Sequence, residues 1–319
     1  MKRLTFLVLT DHSGHSDQNS LYALVNTLVA DPRSAEVAVA SRGDQRNDAF
    51  FSGDGAQVYG FSVEEKLTFS PEGKSFTDSS HRLNVQDYDV VWLRLPHPIA
   101  EGFFPSLQRL SQAGSFLIVN DPAGIETTST KAFLTNFPAL TPPSAVVRTE
   151  EEARKMAGDF PVVLKPLRAY GGQGILRMDH PGDSLSVPFE GPYLAMKFLK
   201  NVSQGDKRIL VVNGKILAAS LRIPPPGEWL CNVARGGTSI GADVSPEEEE
   251  MVANLAPELL SRGICFAGID TLVDDNGKRV LSEINTLSIG GFPQAEVQTG
   301  RPILRQAIDE LFDYCYDRI

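Results

Sequence analysis

Apolar positions over residues 1–120 come in short runs separated by longer amphipathic segments. The run Leu4–Thr10 (LTFLVLT) predicts a buried strand, 20–30 has helical spacing, and 36–41 and 57–61 return to strand-like runs. DVVWLR at 89–94 predicts a strand, 102–112 a helix and 116–120 a further strand. Such alternation points to a mainly parallel sheet covered by helices. The polar, glycine-bearing stretches 43–55 and 70–80 are expected to be loops.

After Asn120-Asp121-Pro122, a turn signal and first boundary, the pattern changes. A helix is expected over 128–136, carrying Lys131, and a strand over 145–147. Thr149 and Glu152 form a capping box that opens a helix to about 157. FPVVLKPLRAYGGQGI at 160–175 then predicts two short strands joined by a long glycine-rich turn with Lys165 at its root. Glycines allow close backbone approach, successive N–H groups can surround an anion, and the lysine adds a charge. A phosphate is the expected ligand. A strand follows at 193–198. Asn213-Gly214, the strongest short hairpin signal, joins strands 207–212 and Lys215–Ile223. The segment 228–241 has no clear period and holds four glycines, a candidate lid. Ser245-Pro246-Glu247-Glu248 caps a helix to Arg262. Ile303–Tyr316 is the last helix. No internal repeat or low-complexity tract is present.

The most informative pattern is at 264–285. Strands 265–273 and 279–284 flank Asn276-Gly277. If the turn is a two-residue hairpin, Asp275 faces Lys278 and Asp270 faces Glu283. Asn285 shares the face of Glu283, because side chains alternate. Directly opposed residues have Cβ atoms about 4.5–5.5 Å apart, and like charges there repel. A cation between them resolves the repulsion. Two carboxylates and an amide suit Mg²⁺, which takes one or two carboxylates together with substrate phosphates. The alternative is an acidic pair satisfied by a nearby lysine.

Composition narrows the function further. The chain has 319 residues, 42% hydrophobic and 22% charged, enough for two or three globular domains. Thirty Lys and Arg against forty Asp and Glu give a formal charge of −10, which argues against nucleic acid and anionic membranes. Cys231, Cys265 and Cys315 show no zinc spacing or disulfide framework, so a reducing cytoplasm is expected. Lys2 and Arg3 precede an apolar run that Asp11 and His12 end too early for a signal-peptide core. Gly237-Thr238-Ser239-Ile240-Gly241 fits G-x-S-x-G, but a hydrolase needs a downstream histidine, and His12, His15, His81, His97 and His180 all lie upstream. His12 and His15 beside Asp11 are read as solvated rather than metal-binding.

With these residues placed, the chain resembles the ATP-grasp ligases, and within them the bacterial glutathione synthetases. The resemblance runs in order through LIVN (117–120), Lys131, KPLRAYGGQGI, GDKRILVVNGK (205–215), LRIP (221–224), NVARGG (232–237), GICFAGIDTLV and LSEIN (281–285). The first 115 residues match only in style, with Arg94-Leu95-Pro96 and Asn19-Ser20 as echoes. The resemblance implies an α/β chain, α+β in its C-terminal part, with the ATP-grasp fold: an N-terminal α/β domain (1–120), a central lid subdomain (121–198) and a catalytic domain (199–319). ATP is expected between two antiparallel sheets. It implies Lys131 and Lys165 at the nucleotide phosphates, and Gly171 and Gly172 in the loop covering them. Met196, Lys197, Phe198 and Leu199 would be the adenine-side hinge, with Asp206 near the ribose. Asp270, Glu283 and Asn285 match the family's magnesium ligands; the reading allows two ions, and Mn²⁺ as a substitute. Arg208 and Arg222 match arginines at the reacting carboxylate or acyl phosphate. A strict register through Asn213-Gly214 would put Arg222 on the face opposite Arg208, so a bulge or an early departure from the sheet is required.

The implied reaction is that of glutathione synthetase, γ-glutamylcysteine and glycine joined at the expense of ATP, in a cytoplasmic homo-oligomer that handles a small carboxylate and an amine. Two departures bear on substrate. The family's V-T-S-P-T type turn is replaced by Thr286-Leu287-Ser288-Ile289-Gly290-Gly291-Phe292, and Leu230 and Cys231 stand where a lid arginine and glycine are usual. The alternatives are a peptide ligase with another substrate pair and an ATP-binding regulator without ligase activity.

Overall fold

The computed structural model describes residues 2–169, 172–225 and 238–319. Gly171, the start of the expected lid at 228–237, Leu230, Cys231 and the NVARGG run lie outside the described residues.

Three sheets organise the described chain. The first contains β1 (Leu4–Thr10), β2 (Ser34–Ser41), β3 (Gln57–Ser62), β4 (His81–Asn84), β5 (Val90–Arg94) and β6 (Leu117–Val119), in the order β4-β3-β2-β1-β5-β6. β2, β1, β5 and β6 are parallel. β3 and β4 extend the β2 edge antiparallel. The alternation of buried runs and helices foretold the parallel part. β4 was not foreseen, because HRLN is short and half-polar. The stretches expected as loops also contain one-turn helices, Asp48–Ser52 and Lys74–Thr77.

The second sheet contains β7 (Ser144–Val147), β8 (Val162–Pro166), β9 (Leu176–Met178) and β10 (Tyr193–Lys197), ordered β7-β10-β8-β9 and antiparallel. The third contains β11 (Asp206–Val212), β12 (Lys215–Ile223), β13 (Thr238–Ala242), β14 (Phe266–Val273) and β15 (Arg279–Asn285), ordered β13-β12-β11-β14-β15 and antiparallel. Both expected capping boxes form, at Thr149/Glu152 and Ser245/Glu248. Glu248 is fully buried, where it accepts from Lys207 Nζ (2.6 Å) and Thr271 Oγ1 (2.7 Å) and so locks its helix onto β11 and β14.

The helix expected over 128–136 is two pieces. Asp121 caps a helix at Pro122–Thr128 by accepting from Gly124 N, with Pro122 at its first position. A 3₁₀ segment, Lys131–Asn136, follows. The Asn-Asp-Pro turn signal is therefore also a helix start. Ser239 lies in β13 opposite Arg222. A nucleophile elbow needs a strand-to-helix turn, so the hydrolase pattern has no structural counterpart.

The N-terminal sheet and the third sheet share a core. Ile303, Ile308, Leu311 and Phe312 of the last helix pack in one buried cluster with Phe6 and Val8 of β1 and with Leu210 and Phe266 of the third sheet. Asn120, 3% exposed, fastens the same junction. Its amide nitrogen donates to Phe266 O (2.7 Å) and Thr286 O (2.6 Å), and its oxygen accepts from Cys265 N and Phe266 N, both 2.8 Å.

Candidate active site

The pairing of Asp270 with Glu283 is observed, but not by the expected route. The β14–β15 turn is a three-residue loop: Val273 pairs with Arg279, and Asp274 N donates to Lys278 O. Gly277 takes φ = 87° there, and the Asp274 carboxylate accepts from Asn276 N and Lys278 N. That geometry suits a three-residue hairpin. Beyond it Thr271 pairs with Leu281, and Ser282 is bulged out before Asp270 meets Glu283. The bulge shifts the register by one, which cancels the longer loop and turns both carboxylates to the same face.

A second bulge resolves the arginine register. Val211 pairs with Ile216, then Leu210 pairs with Ala218, so Leu217 is the extra residue. Arg208 now pairs with Ser220, and Asp206 with Arg222. Both arginines reach one site, as the chemistry required.

Asp270 is 1% exposed and held bidentately by Arg208, with Nε to Oδ1 at 2.7 Å and a terminal nitrogen to Oδ2 at 2.6 Å. Arg222 lies 3.0 Å from the same Oδ2 and 2.6 Å from Asp206 Oδ2. Asn285 Nδ2 donates to Asp270 Oδ2 at 3.2 Å. Burial alone would raise the Asp270 pKa, but Arg208 and Arg222 override it and hold the carboxyl at about 2. Asp206 moves the other way. Burial and the neighbouring Asp270 charge push it up to about 6, against the pull of Arg222. Its Oδ1 is buried with no partner among the described residues. Asp206, implied at the ribose, thus sits inside this ionic cluster.

Two lysines approach the same strand end from the central sheet. Lys131 Nζ is 3.1 Å from Glu283 Oε1 and donates to Ala169 O. Lys165 Nζ donates to Ser282 O, the bulged residue, at 3.2 Å. Burial pushes the Lys165 pKa down, and Glu283 pulls against it. Lys131, Lys165, Arg208 and Arg222 therefore face Asp206, Asp270 and Glu283 across one cleft between two sheets. The acidic repulsion inferred from the hairpin is relieved here by these cations.

The cleft fits a magnesium-type ion by its donor chemistry. Asp270, Glu283 and the Asn285 amide oxygen are hard oxygen donors on adjacent strands, and Glu283 remains 27% exposed on its side chain. Among the described residues no three His, Cys, Asp or Glu side chains form a cage by themselves. That agrees with an ion completed by phosphate oxygens.

Gly172 (φ = 73°) and Gly174 (φ = 65°) take left-handed conformations beside the glycine loop, and a Cβ at Gly172 would meet nothing within 4 Å. Met196, in β10, pairs with Val163. Phe198 N donates to Pro161 O at 2.7 Å, the Arg177 guanidinium lies 3.9 Å from the Phe198 ring centroid, and Leu199 is buried. The tip of the β14–β15 hairpin pins this hinge: Asp275 accepts from Lys197 Nζ (2.7 Å) and Lys200 N (2.9 Å). The sequence reading missed that role for Asp275, whose partners lie far away in the chain. It also missed Asn120, and Arg94 beneath the loop that follows β15. His12 stacks on Phe76 with ring centroids 4.8 Å apart, and His15 bonds Thr10 and Tyr22, so neither is a loose surface side chain.

Comparison with known proteins gives the same picture. The profile of the prokaryotic glutathione synthetase ATP-grasp domain matches residues 130–300. The chain is similar to the glutathione synthetase of Rhodopseudomonas palustris, 32% identical over 79% of this chain and 82% of that one. It is also similar to that of Bradyrhizobium diazoefficiens, 34% identical over 68% and 70%. Among solved structures it shares its fold with D-cycloserine synthetase DcsG (TM-score 0.64, 13% identity, 98% and 99% covered). The D-alanine-D-alanine ligase of Coxiella burnetii is comparable (TM-score 0.63, 14% identity, 100% and 95% covered). With two facing sheets, the lysines and acids between them and these relatives in hand, the chain belongs to the prokaryotic glutathione synthetase family of ATP-grasp proteins.

Proposed function

We propose that this protein joins the carboxylate of a γ-glutamyl dipeptide, γ-glutamylcysteine or a close analogue, to the amine of a small amino acid such as glycine. Family membership carries the coarser statement, an ATP-dependent, ADP-forming C–N ligase that resembles glutathione synthetase and uses ATP with a magnesium-type ion. The observation that supports the finer reading is the convergence of Arg208, Arg222, Lys131 and Lys165 on Asp270 and Glu283 in one cleft.

Lys131 and Lys165 would hold the nucleotide phosphates, and Met196–Leu199 the adenine side. Asp270, Glu283 and Asn285 would hold Mg²⁺, which supplies charge neutralisation at the transferring phosphoryl group. Their oxygens are enough to share between two ions, and Mn²⁺ accepts the same hard donors. Arg208 and Arg222 already grip one carboxylate in a bidentate and shared arrangement, a geometry suited to a second. In the proposed reaction the substrate carboxylate takes the γ-phosphoryl group, giving an acyl phosphate and ADP. The amine then attacks the acyl carbon, the C–O bond breaks, and phosphate leaves. Arg222 would steady the oxyanion of that second step. The N-terminal, central and C-terminal sheets would form the three domains proposed from the sequence, 1–120, 121–198 and 199–319. The protein would work as a cytoplasmic homo-oligomer; no described helix is long and apolar enough to cross a membrane.

A coupled ADP assay across γ-glutamyl dipeptides and amino acids tests the reading. ADP release should require both a dipeptide and an amine, with γ-glutamylcysteine and glycine among the productive pairs. ATP binding with no ADP release from any pair would contradict the ligase and favour the ATP-binding regulator.

A further inference from the structure

Arg94 ends β5 beside Thr10 of β1, where the order β2-β1-β5 reverses direction. Ligands of open α/β sheets bind outside the carboxyl ends of strands at such a switch point. Arg94 is 3% exposed. One terminal nitrogen donates to Ile289 O at 2.6 Å, and its Nε is buried with no partner. Among the described residues no carboxylate pairs with it. The closest acid along the chain, Asp11, is taken by Arg42 at 2.8 Å. Burial without a counter-charge pushes the Arg94 pKa down to about 10.

The surroundings add positive potential. The helix Ser20–Val29 begins here with no acid in its first turn. The helix Phe292–Thr299 begins here too, from Gly291 at φ = 102°, with no side-chain cap and no acid in its first turn. The two N-termini touch, since Gly291 N donates to Ser20 Oγ at 2.9 Å. Helix N-termini carry partial positive charge and unsatisfied N–H groups. A buried guanidinium beneath two of them is costly unless an anion joins it. Asn19, His15, Gly290 and Gly291 are half-exposed, so the crevice opens to solvent.

The crevice is one residue away from the reactive cleft. Ile289 accepts from Arg94 through its carbonyl, and its side chain lies against Gly268. A Cβ at Gly268 would come within 3.2 Å of Ile289 Cγ2 and 3.5 Å of Arg208 Nε. Two arginine sites for anions therefore flank the Ser288–Gly291 loop, one on each side.

We propose that Arg94, with the N-termini of the helices at Ser20 and Phe292, forms a subsite for the substrate carboxylate that the reaction does not consume. This rests on the ligase reading above. The carboxylate has two possible sources, the glutamyl α-carboxylate of the dipeptide or the carboxylate of the amine substrate. The subsite explains how a chain lacking the family's usual turn after β15 still recognises an anionic substrate.

The test replaces each carboxylate in turn. Wild type, Arg94→Lys and Arg94→Met are assayed with γ-glutamylcysteine, its glutamyl α-carboxamide analogue, glycine and glycinamide. In wild type, amidation of the group held here should raise KM about 10–100-fold with kcat within a few-fold. In Arg94→Met the acid and its amide should differ less than threefold, and Arg94→Lys should restore part of the preference, with KM for ATP unchanged. Loss of preference confined to the dipeptide pair, or to the glycine pair, identifies the source. Indifference of wild type to both amidations, or full discrimination retained in Arg94→Met, overturns the subsite. If Arg94→Met does not fold, the wild-type and Arg94→Lys comparisons decide alone. Calorimetric titration of γ-glutamylcysteine and of glycine separates this proposal from the ligase reading. Absence of ADP release defeats the ligase, whereas binding that depends on Arg94 and on a free carboxylate still upholds the subsite.

Discussion

Glu283→Gln should lower Mg²⁺-dependent ADP release by roughly a thousandfold or more, the largest effect expected from any single conservative change in the cleft. The substitution keeps the shape of the side chain and leaves an oxygen for Lys131 Nζ, now 3.1 Å from Glu283 Oε1. Folding should be unaffected, because the carboxylate is on the exposed side of the cleft rather than in the Arg208–Asp270 core. What is lost is one of the two charges opposed across β14 and β15. A neutral amide is a poor ligand for a hard divalent ion. Titration of Mg²⁺ at saturating ATP would measure the change, and raised Mg²⁺ should recover only part of the rate. Turnover within about fivefold of wild type, on the same scale of transition-state charge stabilisation, would remove Glu283 from the metal site.

Asn120→Ala should be the most destabilising single substitution in the framework. It strands two backbone N–H groups and two carbonyls at the buried junction of β6, β14 and the segment after β15. Each buried group left without a partner costs about 1–3 kcal/mol, so a loss of about 4 kcal/mol or more is expected, in the range reserved for broken buried networks. A thermal midpoint lowered by on the order of 10 °C would match it. A shift of about 2 °C or less would mean that water or a backbone adjustment satisfies those groups.

These two residues also mark what the sequence could and could not disclose. The Asp270–Glu283 pairing was legible because strand alternation and an Asn-Gly turn are local signals. The turn length was not. Asp274 accepts from the backbone across the loop, a three-residue hairpin forms, and the bulge at Ser282 restores the pairing that a simpler turn would have given. The inference reached the right partners through two deviations that cancel. The bulge at Leu217 was foreseen for a stronger reason: Arg208 and Arg222 could not otherwise share a face. Chemistry constrained the backbone there.

Asn120 gave only a turn signal, since its bonding partners lie some 145–166 residues further along the chain. Arg94 reads as the polar end of an apolar strand, and only the packing of the Ser288–Gly291 loop over it exposes the missing counter-charge. The lysines fall between these cases. Lys165 was marked by the glycine loop it precedes, whereas Lys131 has no local pattern and was placed by family resemblance alone. Long-range polar contacts leave no periodic trace, so they appear only when the sheets are assembled.

The most direct test of the central claim follows the oxygen atoms. With both carboxylate oxygens of the dipeptide's reacting group labelled with ¹⁸O, the account predicts that one labelled atom appears in inorganic phosphate for each amide formed, because the acyl phosphate breaks at its acyl C–O bond. Phosphate carrying no label beyond background, with amide still formed or ADP still released, would contradict acyl-phosphate chemistry in this cleft.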